Sequence, residues 1–231
     1  MAAIMGARRH RTSVSQEDYL KAILEMEQED QVPISARLSE ELGVTPPAVT
    51  AALKRMARNG TVRLERRGRI QLTRKGRELA NHLILRHQLA EKLLVEVLGM
   101  SWTRVHDEAE KLEHAIGPEL EGLLLKYFGR DTTCPHGAPL VGGLAALRQK
   151  QKQRARPLSD ARTGQRVEIL CVFEKDPRFL DYLDKWRLRP GARLLVEHRD
   201  YDDTLQVAIA GKTVHLGRSA ANRIWVKPLA A

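Results

Sequence analysis

The N-terminal fold is decided by residues 35–72, which read SARLSEELGVTPPAVTAALKRMARNGTVRLERRGRIQL. Residues 35–42 predict a short helix, and the turn signal Gly-Val-Thr at 43–45 precedes a second helix that begins at Pro46. Proline is tolerated there because the first turn of a helix lacks intrahelical partners for its N–H groups. The Asn-Gly pair at 59–60 is typical of a helix end, so the second helix should stop there.

Two short β-type runs, 61–65 and 69–72, follow this helix and are joined by Arg-Arg-Gly at 66–68. Such a pair of runs with a glycine in the connection predicts a hairpin. Upstream, residues 16–29 place apolar side chains on one stripe of a first helix. Helix, turn, helix and hairpin in this order predict a winged helix-turn-helix, which we assign to residues 1–76.

Positive charge is concentrated on the same segment. The whole chain has 39 Lys and Arg against 29 Asp and Glu, and residues 54–77 hold ten basic residues and one acid, Glu65. A solvated basic surface explains any one of these residues. Their position on the second helix of the motif and on the hairpin nevertheless favours contact with DNA phosphates. The candidates are Lys54, Arg55, Arg66 and Arg67.

Composition argues against several other classes of protein. The sequence has no apolar run long enough to span a bilayer, and residues 1–12 are basic without the apolar core of a signal peptide. We therefore expect a cytoplasmic protein without a membrane partner. Two cysteines, Cys134 and Cys171, cannot build a disulfide framework, and Cys171 lies in an apolar run expected to be a buried strand.

The remaining sequence predicts a helical domain and a β domain. Helices are expected over 74–98, 103–115 and 118–128, and the apolar face of the last one suits either a core or a dimer seam. A polar segment then predicts a linker, and short β-type runs between turn residues predict a small barrel. The fold class is therefore mainly α with a small β part, and the later domains are a helical domain at 77–145, a linker at 146–164 and a β-barrel at 165–231.

Histidines and acids share the faces of two predicted helices. One helix carries four of them at i, i+4, i+7 and i+8, which places all four on one stripe. The preceding helix carries His87 and Glu91 at i and i+4. Each residue alone is more often a solvated surface residue, but together they match the ligand set of a divalent first-row metal. The four residues on the helix predicted at 103–115 are His106, Glu110, Glu113 and His114.

Three further residues could extend a metal site. Cys134 and His136 stand two residues apart in a turn-rich loop, which is a workable chelating pair, although the sequence lacks the second Cys/His pair of a zinc finger. Asp18 on the first helix is either a solvated acid or a ligand. A metallohydrolase is an alternative because His and Glu clusters can activate water, but the sequence contains no HExxH motif.

The order of these residues resembles the diphtheria toxin repressor family of metalloregulators. The resemblance is carried by Glu17-Asp18-Tyr19-Leu20, by the helix-turn-helix, and by the spacing of histidines and acids within 86–91 and 105–114. It extends to 173–200, which looks like the start of that family's SH3-like C-terminal domain. The resemblance implies a homodimer that binds double-stranded operator DNA and represses metal-uptake genes.

The resemblance also implies how the metal ligands are grouped. In the family, a primary site joins a residue at the Asp18 position to those at Glu110, Glu113 and His114. Iron-responsive members carry soft Met and Cys at the first two positions, where this chain has Asp and Glu, as the manganese-responsive branch does. Hard oxygen ligands suit Mn²⁺. The expected cofactor is therefore Mn²⁺, with Fe²⁺ as the alternative.

Two further sites follow from the same resemblance. His87, Glu91 and His106 match the family's ancillary site. A variant of a secondary site found in some manganese members would consist of Cys134, His136, Glu91 and an acid from the C-terminal domain, for which Asp176 is the candidate. There are two departures from the family: Lys21 stands where dinuclear manganese regulators have an acid, and the Gln expected near Asp176 appears as Arg178 or Phe179.

Four residues match the family's DNA contacts. Thr45, which is also a plausible helix N-cap, and Pro47 match positions that touch thymine methyl groups, and Arg37 and Thr50 match phosphate contacts. Ala51 replaces a polar residue used by relatives, so base specificity should be thin and DNA shape should share the recognition.

The sequence thus predicts a manganese-dependent transcriptional repressor and no enzyme. The alternatives are an iron-dependent repressor of the same family and a metal-independent or small-molecule-sensing winged-helix regulator, whose DNA affinity would not change when a chelator is added.

Overall fold

The computed structural model describes residues 15–28, 31–140 and 155–229 of the chain. The chain divides into two compact units, Met1–Leu83 and Ile84–Ala231. Across the described residues, no helix is both long enough and apolar enough to cross a membrane.

The first unit contains the predicted winged helix-turn-helix. Its first helix begins with a reciprocal cap, in which the N–H of Ser15 donates to Asp18 Oδ2 (2.8 Å) and the N–H of Asp18 donates to Ser15 Oγ (3.2 Å). The elements of this unit are α1 (Gln16–Gln28), α2 (Ser35–Glu41), α3 (Pro46–Arg58), β1 (Val62–Leu64), β2 (Ile70–Leu72) and the start of α4 (Arg74–Lys92).

Helix α3 packs through one apolar stripe and leaves its other face in solvent. Val49, Leu53 and Met56 are buried at helical spacing. Thr45 occupies the predicted N-cap position, but its side chain makes no capping hydrogen bond. Strands β1 and β2 then pair antiparallel, and Gly68 in their connection has φ 75°, a left-handed conformation that favours glycine. The predicted helix-turn-helix and hairpin are confirmed.

The second unit begins with helices. Beyond Ile84, helix α4 continues to Lys92, where a single wider turn with i to i+5 bonding follows over Leu93–Val97, so the regular helix is shorter than the predicted 74–98. Helix α5 (Val105–Leu112) ends in a 3₁₀ turn at Glu113–Ala115. Helix α6 spans Pro118–Phe128, as predicted.

A six-stranded antiparallel sheet forms the C-terminal part. Its elements, with two helices, are β3 (Arg156–Pro157), β4 (Arg166–Val172), α7 (Pro177–Lys185), β5 (Arg193–Arg199), β6 (Leu205–Ile209), β7 (Lys212–Leu216), α8 (Arg218–Ala221) and β8 (Ile224–Pro228). The strand order is β3-β8-β4-β5-β6-β7. The sheet begins at Arg156, not at the predicted residue 165, because β3 pairs with β8 and Leu158 is fully buried in the same core. Residues 146–154 of the predicted linker lie outside the described residues.

A loop after α6 is clasped onto this sheet, and this contact is named the clasp below. The N–H of Val172 donates to the carbonyl of His136 (3.0 Å). Gly137 has φ 93°, and a Cβ at this position would stand 2.0 Å from the carbonyl oxygen of Leu170, so only glycine permits the approach. The pairing of β4 with β8 is irregular between Ile169 and Cys171, at the same point. The clasp therefore holds the loop that bears Cys134 and His136 against the end of β4.

Candidate metal centre

Helices α4 and α5 bring three predicted ligands together. His87 and Glu91 lie one helical turn apart on α4, with His87 Nε2 3.4 Å from Glu91 Oε1. His106 on α5 faces both, since its Nδ1 is 3.1 Å from His87 Nε2 and 3.9 Å from Glu91 Oε1. All three side chains are buried. The structure therefore brings together the three residues that match the family's ancillary site in the sequence.

Glu91 is the buried carboxylate at the middle of this group. It is 0% exposed, and its Oε1 accepts no hydrogen bond from any described residue. Burial raises the pKa of Glu91, but the imidazoles of His87, His106 and His136 outweigh burial and hold that pKa well below its ordinary range. An ionised, buried carboxylate oxygen without a hydrogen bond is costly unless a cation binds it. This orphaned oxygen fits a divalent metal.

The clasped loop adds the predicted Cys134 and His136. His136 Nδ1 lies 3.2 Å from Glu91 Oε1. Burial raises the pKa of the Cys134 thiol to about 12, and the negative charge of Glu91 adds to this. Burial also lowers the pKa of His136, but its hydrogen bonds to Cys134 and to acids raise it further than burial lowers it. A bound cation would reverse this balance, because it favours the thiolate and the neutral imidazole.

The acid from the C-terminal sheet is Glu174, which the sequence analysis missed. Glu174 Oε1 is 3.8 Å from His87 Nε2, and Glu174 Oε2 is 3.4 Å from His136 Nδ1. Asp176, which was expected in this role, instead caps α7 by accepting from the N–H groups of Arg178 and Phe179. It also accepts from Arg223 (2.9 Å). The expectation for Asp176 is therefore corrected.

Six donors make up the group called the buried cluster below. Within it, two overlapping sets of four each place their ligand atoms within 4.8 Å of one another. The two sets share Glu91 and Glu174. The first set adds His87 and His106, and the second adds Cys134 and His136.

Two histidines of the buried cluster each turn one ring nitrogen inward and the other toward an acceptor. His87 Nδ1 donates to Glu113 Oε2 (2.6 Å), and His136 Nε2 donates to the carbonyl of Trp102 (2.8 Å). Since carboxylate and carbonyl oxygens only accept, these bonds leave the other nitrogen of each ring for the centre. This arrangement is typical of histidines that bind metals.

The remaining predicted ligands on α5 and the following turn differ in exposure. Glu113 is buried and bonded to His87, whereas the side chains of Glu110 and His114 are 53% and 36% exposed. Glu110 Oε1 is 3.6 Å from His106 Nε2. Arg86 pairs with Glu121, and Lys111 pairs with Glu108. Asp18 belongs to the first unit, where its backbone and carboxylate cap α1.

The predicted DNA contacts lie on the surface of the first unit. Arg37 donates to the carbonyl of Val32 (2.7 Å), and Thr50 donates to the carbonyl of Pro46 (3.0 Å). The side chain of Arg67 lies outside the described residues. The exposed candidates are Arg37, Thr45, Pro47, Thr50, Lys54, Arg55 and Arg66.

Comparison with known proteins gives matches along most of the chain. Three family models match consecutive parts of the chain. Residues 11–69 match the iron dependent repressor N-terminal DNA binding domain, 73–141 match the iron dependent repressor metal binding and dimerisation domain, and 156–228 match the FeoA domain. The iron-dependent repressor IdeR of Mycobacterium leprae is 39% identical over 220 residues, which is 91% of this chain and 96% of that relative.

The chain belongs to the diphtheria toxin repressor family.

Other members of the diphtheria toxin repressor family align over different shares of the chain, from about half to nearly all of it. The diphtheria toxin repressor of Corynebacterium jeikeium is 39% identical over 126 residues, so the chain spans 52%, about half, of that relative's length. A solved structure described as a manganese-dependent transcriptional repressor in complex with manganese is 33% identical, with a TM-score of 0.81 over 93% of this chain and 100% of that chain. Family members named for iron and for manganese are thus both similar to this chain.

Proposed function

We propose that the protein is a metal-dependent transcriptional repressor that binds operator DNA as a homodimer and responds to Mn²⁺. The observation that carries the metal dependence is the buried Glu91 oxygen, which accepts no hydrogen bond among the described residues and faces three imidazoles. The ion would supply the positive charge that these donors lack.

Manganese is favoured over iron by the donors of the proposed primary site. By the family resemblance, Asp18, Glu110, Glu113 and His114 would hold this ion, and three of them are carboxylates. Carboxylates suit Mn²⁺, whereas thioether and thiolate suit softer ions. Iron remains the second candidate, because the Mycobacterium leprae relative is named as an iron-dependent repressor.

The switch would act through Asp18. Asp18 lies in the first turn of α1, so a bond from Asp18 to a shared ion would tie the winged helix-turn-helix to the metal-binding helices. Occupancy of the site would then shift a two-state hinge toward the form that binds DNA, and DNA and metal would strengthen each other's binding because such coupling is reciprocal.

The dimer would form through α6. Three large apolar side chains of this helix are exposed: Leu120 by 40%, Leu123 by 58% and Tyr127 by 72%. An apolar stripe of this kind is typical of an interface. Replacing Leu123 by Asp should give monomers in analytical ultracentrifugation and abolish operator binding, whereas Lys126→Asp, which also adds an acid to this helix, should dissociate the dimer less.

The metal is tested by DNA binding. Duplexes selected from a random library with the Mn²⁺-loaded protein are titrated anaerobically against Mn²⁺, Fe²⁺ and Zn²⁺, each with a chelator control. We expect Mn²⁺ to activate and the chelator to abolish binding. Affinity that is unchanged by chelator would overturn metal dependence and support the metal-independent alternative.

A double substitution tests the donors that favour manganese. Asp18→Met with Glu110→Cys should weaken activation by Mn²⁺ relative to Fe²⁺, Co²⁺ and Ni²⁺. Glu17→Met with Glu108→Cys, on the same two helices, is the matched control and should keep the wild-type metal ranking. An unchanged ranking in the first variant would remove the main support for manganese.

A further inference from the structure

We propose that the buried cluster is one carboxylate-bridged centre that holds two divalent ions, with Glu91 and Glu174 shared between them. This inference rests on the proposed metal dependence and goes beyond it in assigning the number of ions and the bridging residues. The competing arrangement is a single ion that uses some of the same donors.

The overlap of the two donor sets is the first observation. Each set of four is compact by itself, and the two sets have both carboxylates in common. His87 and His106 stand at one end, and Cys134 and His136 stand at the other. Among the described residues no set of ligand atoms within 4.8 Å of one another contains all six donors, so the six do not surround a single point.

The two oxygens of Glu174 point to different ends of the cluster. Glu174 Oε1 faces His87 Nε2 at 3.8 Å, and Glu174 Oε2 faces His136 Nδ1 at 3.4 Å. A carboxylate offers two oxygens that can accept from different partners. The orientation of Glu174 is therefore that of a bridge between the ends.

Glu91 stands between the same two histidines. Its Oε1 is 3.4 Å from His87 Nε2 and 3.2 Å from His136 Nδ1, and no described residue donates a hydrogen bond to this oxygen. A fully buried oxygen aimed equally at both ends matches a second bridge. Glu91, on helix α4, and Glu174, two residues after β4, thus lie between the two ends of the cluster.

Charge balance favours two ions. Metal binding would leave Cys134 as a thiolate beside the carboxylates of Glu91 and Glu174, which gives three negative charges within the buried cluster. Lys92, a buried lysine nearby, is already paired with Glu96. One divalent ion would leave one of these three negative charges uncompensated, whereas two ions would compensate all three.

The ends of the centre differ in chemistry. The end with His87 and His106 offers only nitrogen and oxygen donors, whereas the end with Cys134 and His136 includes sulfur. Thiolate favours softer ions, so the second end should prefer Co²⁺ or Zn²⁺ over Mn²⁺. Co²⁺ binds both kinds of donor and gives a thiolate charge-transfer band that reports Cys134 alone, which makes it the probe for counting.

The test counts Co²⁺ bound to the full-length protein without DNA, by equilibrium dialysis and elemental analysis. The double variant His106→Ala/His136→Ala disables both ends and should lose two equivalents relative to wild type. Loss of one equivalent would overturn the two-ion centre. His106→Ala alone should keep the charge-transfer band, and Cys134→Ser should lose it.

Two further variants distinguish loss of metal ligands from misfolding and from failure of the proposed function. Glu91→Gln/Glu174→Gln preserves side-chain size and should also lose two equivalents, while Asp176→Asn, an acid two residues from Glu174, should lose none. Circular dichroism checks the fold of each variant. If wild type binds no Co²⁺ at all, the proposed metal dependence fails as well; if the variants lose one equivalent, only the two-ion centre fails.

Discussion

In the first unit, the candidate DNA contacts with described side chains are exposed and come from one short stretch, 37–66. In the second unit, the donors of the buried cluster come from four separate segments: α4, α5, the clasped loop and the segment after β4 that bears Glu174. The first arrangement depends on local helix and hairpin geometry, and the second depends on tertiary packing. Charge at the first region can therefore change without loss of the fold, whereas changes to the donors of the second region should alter stability.

The largest effect expected is that of salt on the first region. Operator affinity should fall on the order of 10³ to 10⁵ between 50 and 200 mM salt if 6 to 10 phosphates are contacted, because bound DNA releases counterions. Fluorescence anisotropy at several salt concentrations measures it. Lys54→Gln should reduce the salt slope by about one unit, and Glu65→Gln, the one acid in 54–77, should not reduce it. A flat salt response would contradict the DNA assignment.

Removal of metal tests the second region. A ligand that binds only the folded state at a thousand times its Kd stabilises that state by about 4 kcal/mol, so chelation should lower the free energy of unfolding by a similar amount. Denaturant titrations with and without chelator measure this difference. Glu91→Gln should shrink it, and Glu110→Gln, at a half-exposed position, should shrink it less. Equal effects of the two substitutions would mean that burial of a ligand does not determine how much it contributes to stabilisation by metal.

Gly137→Ala tests whether the clasp organises the buried cluster. The new Cβ would meet the carbonyl of Leu170 at 2.0 Å, so the loop must move, at a cost of about 1–3 kcal/mol. The Co²⁺–thiolate band of Cys134 should weaken as a result. Gly129→Ala is the matched control, because Gly129 also has positive φ (84°) but a Cβ there has no described atom within 4 Å. A band that is equally weak in both variants would point to backbone strain, not to the clasp.

Asp176→Ala should have the smallest effect, a loss of about 0.5–2 kcal/mol of stability from the N-cap of α7. The hydrogen bond from the N–H of Phe179 lowers the pKa of Asp176, burial opposes this, and the Arg223 guanidinium lowers the pKa further. Its carboxylate therefore stabilises the fold above its unfolded pKa, and this contribution is lost as pH falls through the lower folded pKa. Unfolding of wild type and variant from pH 7 to pH 3 should converge at the acid end, and metal stoichiometry should not change.

Local patterns predicted much of the fold because they report local geometry. The boundaries of α6 and the order of the helix-turn-helix follow from apolar spacing and from proline and glycine signals. The pairing of His87 with Glu91 follows in the same way from i, i+4 spacing. These features need no knowledge of distant contacts.

Glu174 could not be found in this way, because its place depends on how β4 ends and on the loop clasped beside it. The sequence did contain a signal against Asp176. An Asp directly before Pro177, the first residue of a helix, is a typical N-cap, and such a carboxylate is already engaged with backbone N–H groups. Glu174, two residues before Asp176, is the nearest other acid in the sequence and therefore the better candidate ligand.

The clasp should also slow the exchange of metal ions at the buried cluster. The three imidazoles, Glu91 and Cys134 are almost inaccessible to solvent, and the loop over them is held by the bond from Val172 to His136 and by Lys92, which donates to Thr133. An ion can leave such a centre only when the loop opens, so its release follows the rate of local opening and not the concentration of metal outside. The exposed Glu110 and His114 have no such barrier. We therefore expect metal to exchange more slowly at the buried cluster than at Glu110 and His114.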